Sequence, residues 1–125
     1  MKRWVRLAIS VAVVAGATPA GAQDAKKGEA VFRPCRACHT LDAAKKKPAP
    51  PLKGVVGRKA AAVPGYAYSD AMQQAARNGL VWTEANLAAY LESPDTFLPQ
   101  GVMAYSGVKN EGDLKDLVAF LKTQK

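Results

Sequence analysis

The chain has 125 residues, a formal net charge of +8, two cysteines and one histidine, which bounds it to one domain. Its basic residues form no basic helix and no patch interleaved with aromatics, so the charge is a poor argument for nucleic-acid binding. So few cysteines and histidines also leave a four-ligand zinc site short of groups.

The first segment carries a targeting pattern. Lys2, Arg3 and Arg6 make a positive start, Leu7 to Ala17 is apolar, and Ala20-Gly21-Ala22 is a small-residue cleavage site. This predicts a Sec-type signal peptide over 1–22, cut before Gln23, and a mature domain over 23–125 exported to the periplasm. The apolar run is shorter than the roughly 20 residues a membrane span needs, and Thr18 and Pro19 interrupt it; a retained membrane anchor is the alternative. Losing Lys2, Arg3 and Arg6 lowers the formal charge from +8 to +5. A modest positive charge of this kind suits an acidic protein partner or simple solubility.

Asp24 is placed to cap a first helix running to about Arg33. Gly28, Val31, Phe32 and Cys35 share one helical face, and a glycine on that face predicts another helix pressed against it. Pro34 ends the regular turn and delivers Cys35-Arg36-Ala37-Cys38-His39, which holds both cysteines and the one histidine of the chain. Cys-x-x-Cys-His is the attachment signature of a c-type haem: the thiols add across the porphyrin vinyl groups as thioethers, and the adjacent imidazole can bind the iron. A thioredoxin-like dithiol would need a βαβ pattern, which is absent, and a short-loop disulfide is the remaining minor reading.

From Leu41 to about Tyr68 no periodicity survives. Lys45-Lys46-Lys47 reads as a solvated loop tip, and Pro48, Pro50, Pro51, Gly54, Gly57, Pro64 and Gly65 punctuate the rest. Structureless loops of this length are uncommon in a compact domain and make sense if they pack against a large ligand. Ser69 or Asp70 starts a short helix to Arg77, closed by Asn78-Gly79. Thr83 caps the next, with Leu87, Tyr90 and Leu91 on one face and Ser93-Pro94 as its stop. An extended loop over 95–109 comes next. The last helix buries Leu114, Leu117, Val118 and Leu121, with acids early and Lys122 late as the helix dipole prefers. No run alternates like a strand, so the domain is all-α, with about four short helices and long loops wrapped around one covalent haem c.

A low-spin iron needs a ligand opposite His39, and the chain has no second histidine. Met1 leaves with the signal peptide and Met72 reads as helix packing among alanines. Met103 lies in the Pro/Gly-rich stretch Pro99-Gln100-Gly101-Val102-Met103, where the backbone is free to bring a thioether to an iron.

Taken together, these stretches resemble the class I cytochromes c, the mitochondrial and bacterial electron-carrier type. The resemblance rests on Gly28 to Phe32, Cys35 to Thr40, Pro50 to Lys59, Pro64 to Ala71, Trp82, Tyr90 to Pro94, Met103 to Lys109 and Asp116 to Lys122, in that order. It implies that Cys35 and Cys38 form the thioethers and that His39 and Met103 are the axial ligands. Pro50 is then the residue whose carbonyl accepts the other N–H of His39. Arg58, Tyr68 and Trp82 are implied to hold a buried propionate, and Tyr90 to lie beside the methionine sulfur. The contact between first and last helices is implied for Gly28, Phe32, Leu117 and Phe120. Three departures stand out. Met72 occupies a place where the family often has asparagine, and Gly101 one where it commonly has threonine. Asp95, Thr96 and Val102 thin the usual ring of docking lysines.

The implied function is a soluble periplasmic one-electron carrier and not an enzyme. It would act as a monomer between a cytochrome bc-type donor and an oxidase or reductase acceptor, with electrons crossing near the thioethers and Tyr105. The alternatives are a dedicated electron-transfer subunit of a periplasmic oxidoreductase, or a membrane-anchored carrier.

Overall fold

The computed structural model describes residues 12, 13, 16 and 23–125; the signal-peptide reading of 1–22 falls almost wholly outside the described residues. Helix α1 (Ala25–Phe32) starts where the side chain of Asp24 accepts from the backbone N–H groups of Lys26 and Lys27, satisfying donors that a helix start leaves unpaired. Pro34 does not stop the chain from coiling but tightens it: residues Arg33–Ala37 continue as a 3₁₀ turn with the proline in its first positions, where a missing N–H costs nothing.

Helices α2 (Asp70–Arg77) and α3 (Glu84–Glu92) are capped by Ser69 and Thr83, whose hydroxyls accept from Met72 and Asn86. Pro94 then departs from expectation. It opens a further short helix, α4 (Pro94–Phe97), inside the stretch expected as extended loop. The ring presets the backbone angle that a first helical position needs, so the residue that ends α3 also begins α4. Helix α5 (Glu111–Thr123) is capped by Asn110 and buries Leu114, Leu117, Val118, Phe120 and Leu121.

The principal helix pair is α1 on α5, with α3 packed on α5 and α4 on α3. At the α1–α5 crossing Phe32 and Phe120 set their rings 5.3 Å apart, and Asp24 N–H donates to Asp116 Oδ1 at 2.8 Å. Gly28 faces α5 so closely that a β-carbon there would collide with the carbonyl of Asp116 and lie 2.8 Å from Phe120 Cβ. The close approach read from Gly28 is therefore observed. Among the described helices α2 alone packs on none of the others.

The loops are held by long-range backbone bonds rather than by a sheet. Leu52 N–H donates to Thr40 at 2.8 Å, Gly57 N–H to Trp82 at 2.8 Å, and Ala60 N–H to Leu80 at 2.9 Å. An isolated antiparallel bridge, Lys59 with Val81, is the only β pairing among the described residues. Gly107, at φ +106°, lets the chain press against the end of α3, where Val108 N–H donates to Leu91 at 2.8 Å. The fold is all-α, as the sequence predicts, and its core of Phe32, Leu87, Leu91, Leu117 and Leu121 surrounds one large cavity.

Candidate haem site

The cavity has a volume of about 450 Å³. One wall comes from the 3₁₀ turn and the two residues beyond it. Backbone N–H groups of Cys38 and His39 both return to the carbonyl of Cys35, at 3.2 and 2.8 Å, so a single turn brings Cys35, Cys38 and His39 to the cavity. The two thiols are free rather than paired as a disulfide, Cys35 half-buried and Cys38 exposed. Burial pushes the Cys35 thiol pKa up.

His39 is fixed by its own loop. Its Nδ1 lies 2.7 Å from the carbonyl oxygen of Pro50. A carbonyl can only accept, so Nδ1 carries the proton and Nε2 is left with its lone pair. Burial lowers the imidazole pKa, opposed by the bond to Pro50 and assisted by the charge of Arg58. The neutral ring that a metal needs is thus the favoured form, and a second hydrogen bond of this kind orients such a ligand and raises its basicity.

Met103 lines the same cavity from the chain beyond α4. Tyr90, on α3, donates its hydroxyl to Met103 Sδ at 3.8 Å. Burial, with the charges of Asp95 and Tyr66 adding to it, raises the Tyr90 pKa, which keeps the phenol a donor. Its ring lies 5.0 Å from that of Trp82 and 5.7 Å from that of Phe97. Phe97 enters this stack through α4, the turn that sequence reasoning missed; Pro after Ser at a helix end was the available signal.

Arg58, Tyr68 and Trp82 line the cavity too. Arg58 donates to the carbonyl of Lys53 at 3.3 Å, yet its Nε is buried without any partner, and burial lowers the guanidinium pKa. A buried guanidinium nitrogen facing no acceptor is costly. Tyr68 accepts from Val63 N–H at 3.1 Å, which leaves its own proton to donate. Together they suit a carboxylate carried by a molecule inside the cavity. Every predicted site residue, from Cys35 through Met103, therefore reaches one space. Met72, expected only to pack, also lines it.

The donor set fits a haem c. Two thiols stand beside an imidazole, a thioether is supplied from a distant loop, the walls are mainly apolar, and an unanswered cation is ready for a propionate. Among the described residues no three His, Cys, Asp or Glu side chains gather as a metal site.

Comparison with known proteins agrees. The family model for cytochrome c matches residues 25–125. A cytochrome c2 of Rhodomicrobium vannielii is 42% identical over 117 residues, spanning 93% of this chain and 91% of the relative. The ferricytochrome c2 structure from Rhodopseudomonas palustris has a TM-score of 0.73 at 41% identity, covering 82% of this chain and 100% of that one. Cytochrome cH from Methylobacterium extorquens has a TM-score of 0.72 at 40% identity, covering 80% and 98%. With its Cys35-to-His39 turn opening on an apolar cavity and this likeness across the domain, the chain belongs to the cytochrome c family.

Proposed function

We propose that the chain is a periplasmic one-electron carrier in which His39 and Met103 would hold the iron of a haem attached through Cys35 and Cys38. Members of the cytochrome c family carry electrons rather than turn over substrates, and this chain binds one covalent haem c. Haem c supplies an iron that holds or releases one electron as it passes between ferrous and ferric states. The observation that carries the ligand assignment is the convergence of His39 and Met103, 64 positions apart in the chain, on the cavity that also receives Cys35 and Cys38.

The chain's own residues have distinct tasks. Pro50 holds the His39 ring in place and keeps its lone pair available. Tyr90 steadies the sulfur of Met103, a soft donor that favours the ferrous state, and the apolar walls exclude water, which disfavours extra positive charge; both raise the potential. Arg58, Tyr68 and Trp82 receive a propionate. Pro34, Cys38, Pro48, Val102 and Ala104 are exposed and also line the cavity, so they mark its mouth. A redox partner approaching there meets an apolar rim beside Arg36 and Lys47, whose ammonium donates to the Arg36 carbonyl. A weak, short-lived complex with a small interface suits this task.

The working protein is the domain over 23–125, released from a signal peptide over 1–22. No described helix is long and apolar enough to cross a membrane. The partners are a cytochrome bc-type donor and an oxidase or reductase acceptor, met by a monomer. Absorption spectra of protein purified from the periplasm, ferric and ferrous, with an intact mass, test the reading. The expected mass is residues 23–125 plus one haem, and the ferric spectrum should show the iron–sulfur charge-transfer band. Met103→Ala should keep the haem attached and abolish that band; an unchanged band would overturn the ligand assignment.

A further inference from the structure

We infer that Gln124, just past helix α5, is a positioning residue for Arg58: its main-chain carbonyl sets the Lys53–Gly54 peptide, and that peptide holds the guanidinium at the cavity. The inference rests on the role given to Arg58 in receiving a propionate. The backbone of Arg58 is fixed locally, since Trp82 N–H donates to its carbonyl at 2.8 Å and its own N–H donates to Val55 at 3.1 Å. The head of the side chain is fixed separately. Arg58 Nη1 donates to the Lys53 carbonyl at 3.3 Å, while Nε is buried without a partner. Where Lys53 holds the fork therefore decides how its free donor meets a group in the cavity.

The peptide that supplies this acceptor is held from its other side. A trans peptide is planar, so its C=O and N–H point in opposite directions and turn together. Gly54 N–H donates to the Gln124 carbonyl, which lies beyond the last turn of α5. Arg58, the Lys53–Gly54 peptide and Gln124 thus form one line of hydrogen bonds. The same peptide is the middle of a turn. Val55 N–H returns to the Leu52 carbonyl at 3.0 Å, and Gly54 takes φ +72°, the pattern of type II. A type I turn differs by roughly a half-rotation of that middle peptide. The rotation would aim the Lys53 carbonyl at Gln124, acceptor against acceptor, and take it away from Arg58. Lys53 and Gly54 are exposed, and a β-carbon on Gly54 would meet nothing within 4 Å, so packing around this peptide does not choose between the turns. The bond to Gln124 does. The Gln124 side chain is spent on Thr123 Oγ1 at 2.9 Å, so the residue acts through its main chain.

The test uses the haem-loaded protein, with amide exchange at Gly54 read by NMR and the midpoint potential by spectroelectrochemistry. A chain ending at Thr123 loses the carbonyl. Its Gly54 N–H should exchange about fivefold to tenfold faster, the worth of one hydrogen bond, and its potential should fall as the Arg58 charge loses its place. A chain ending at Gln124 loses the same Lys125 charge but keeps an acceptor; it and Gln124→Ala should match the parent in both readouts. Gly54→Ala, strained at positive φ, should lower the potential by itself, and Gly54→Asn, which tolerates that region, should lower it less. Ending the Gly54→Ala chain at Thr123 should add little, because both changes act through one peptide. Should the chain ending at Thr123 fail to retain haem, the two Gly54 variants carry the comparison. Parent-like exchange in the chain ending at Thr123, an equal rise in the chain ending at Gln124, or fully additive shifts would overturn the inference. So would a potential that Arg58→Met lowers and these variants leave alone. Failure of the role given to Arg58 would show itself differently, as a potential unmoved even by Arg58→Met.

Discussion

Gly28→Ala sets two effects of opposite sign against each other. Alanine is the better helix former by about 1 kcal/mol, so on propensity alone the variant should be more stable. The structure predicts the reverse. The new β-carbon would collide with the Asp116 carbonyl and lie 2.8 Å from Phe120 Cβ. The first obstacle is backbone and cannot rotate away, so α1 must move off α5. Overpacking of this kind costs about 1–3 kcal/mol. The same movement strains the Asp24–Asp116 bond at 2.8 Å, worth about 1 kcal/mol, and the Phe32–Phe120 pair at 5.3 Å, worth about 1 kcal/mol. Less the propensity gain, the expected net loss is about 2–4 kcal/mol, or about 10–20 °C in Tm for a domain of this size. Guanidinium unfolding of the haem-loaded protein, monitored by far-UV circular dichroism, measures it. The iron–sulfur band should not change, because Gly28 does not line the cavity. A variant as stable as the parent, or more stable by the propensity increment, would refute the packing argument.

Other perturbations address the site. Arg58→Met removes a half-buried positive charge whose Nε lacks a partner in the chain; the midpoint potential should fall, since that charge disfavours the ferric form, and spectroelectrochemistry showing no fall would contradict the role given to Arg58. Replacing Cys35 and Cys38 together by alanine should leave a chain without persistent helical signal at about 25 °C. A cavity of about 450 Å³ left unfilled costs about 10 kcal/mol at about 24 cal/mol per Å³, comparable to the whole stability of such a domain; native-like far-UV dichroism without haem would count against this. Glu111, at the start of α5, has its pKa lowered by the hydrogen bond to Lys115 and then by that residue's charge. A depressed carboxylate stabilises the fold above its ordinary value of 4.5 and loses that contribution as pH falls through the depressed one. Glu111→Gln should therefore flatten the acid side of the stability profile slightly, and less at high salt because the pair is exposed. A steeper acid side would reverse the sign.

Helices were legible because their signals are local. Asp24, Ser69 and Thr83 each cap the helix expected of them, and the stripe of Leu114, Leu117, Val118 and Leu121 is the buried face of α5. Helix α4 was not legible, because Pro94 serves as well to end one helix as to begin another, and only the bonds of Phe97 and Leu98 back to Ser93 and Pro94 decide between them. Gln100 takes φ +64° and Ala61 φ +55°, and nothing in a non-glycine residue announces the left-handed region. The loops pose the deeper difficulty. The bond from His39 to Pro50 and the reach of Arg58 into the cavity have no periodicity behind them, since each depends on where the chain returns after a long excursion. Resemblance suggested them; residue spacing alone did not. Cys35, Cys38, His39 and Met103 could be found by a different route. In a chain with so few sulfur and imidazole groups, chemistry restricts the choice before geometry does. Met72 shows the limit of that route. Its sulfur was as visible in the sequence as that of Met103, and only the fold shows that it packs on the core and lines the same cavity.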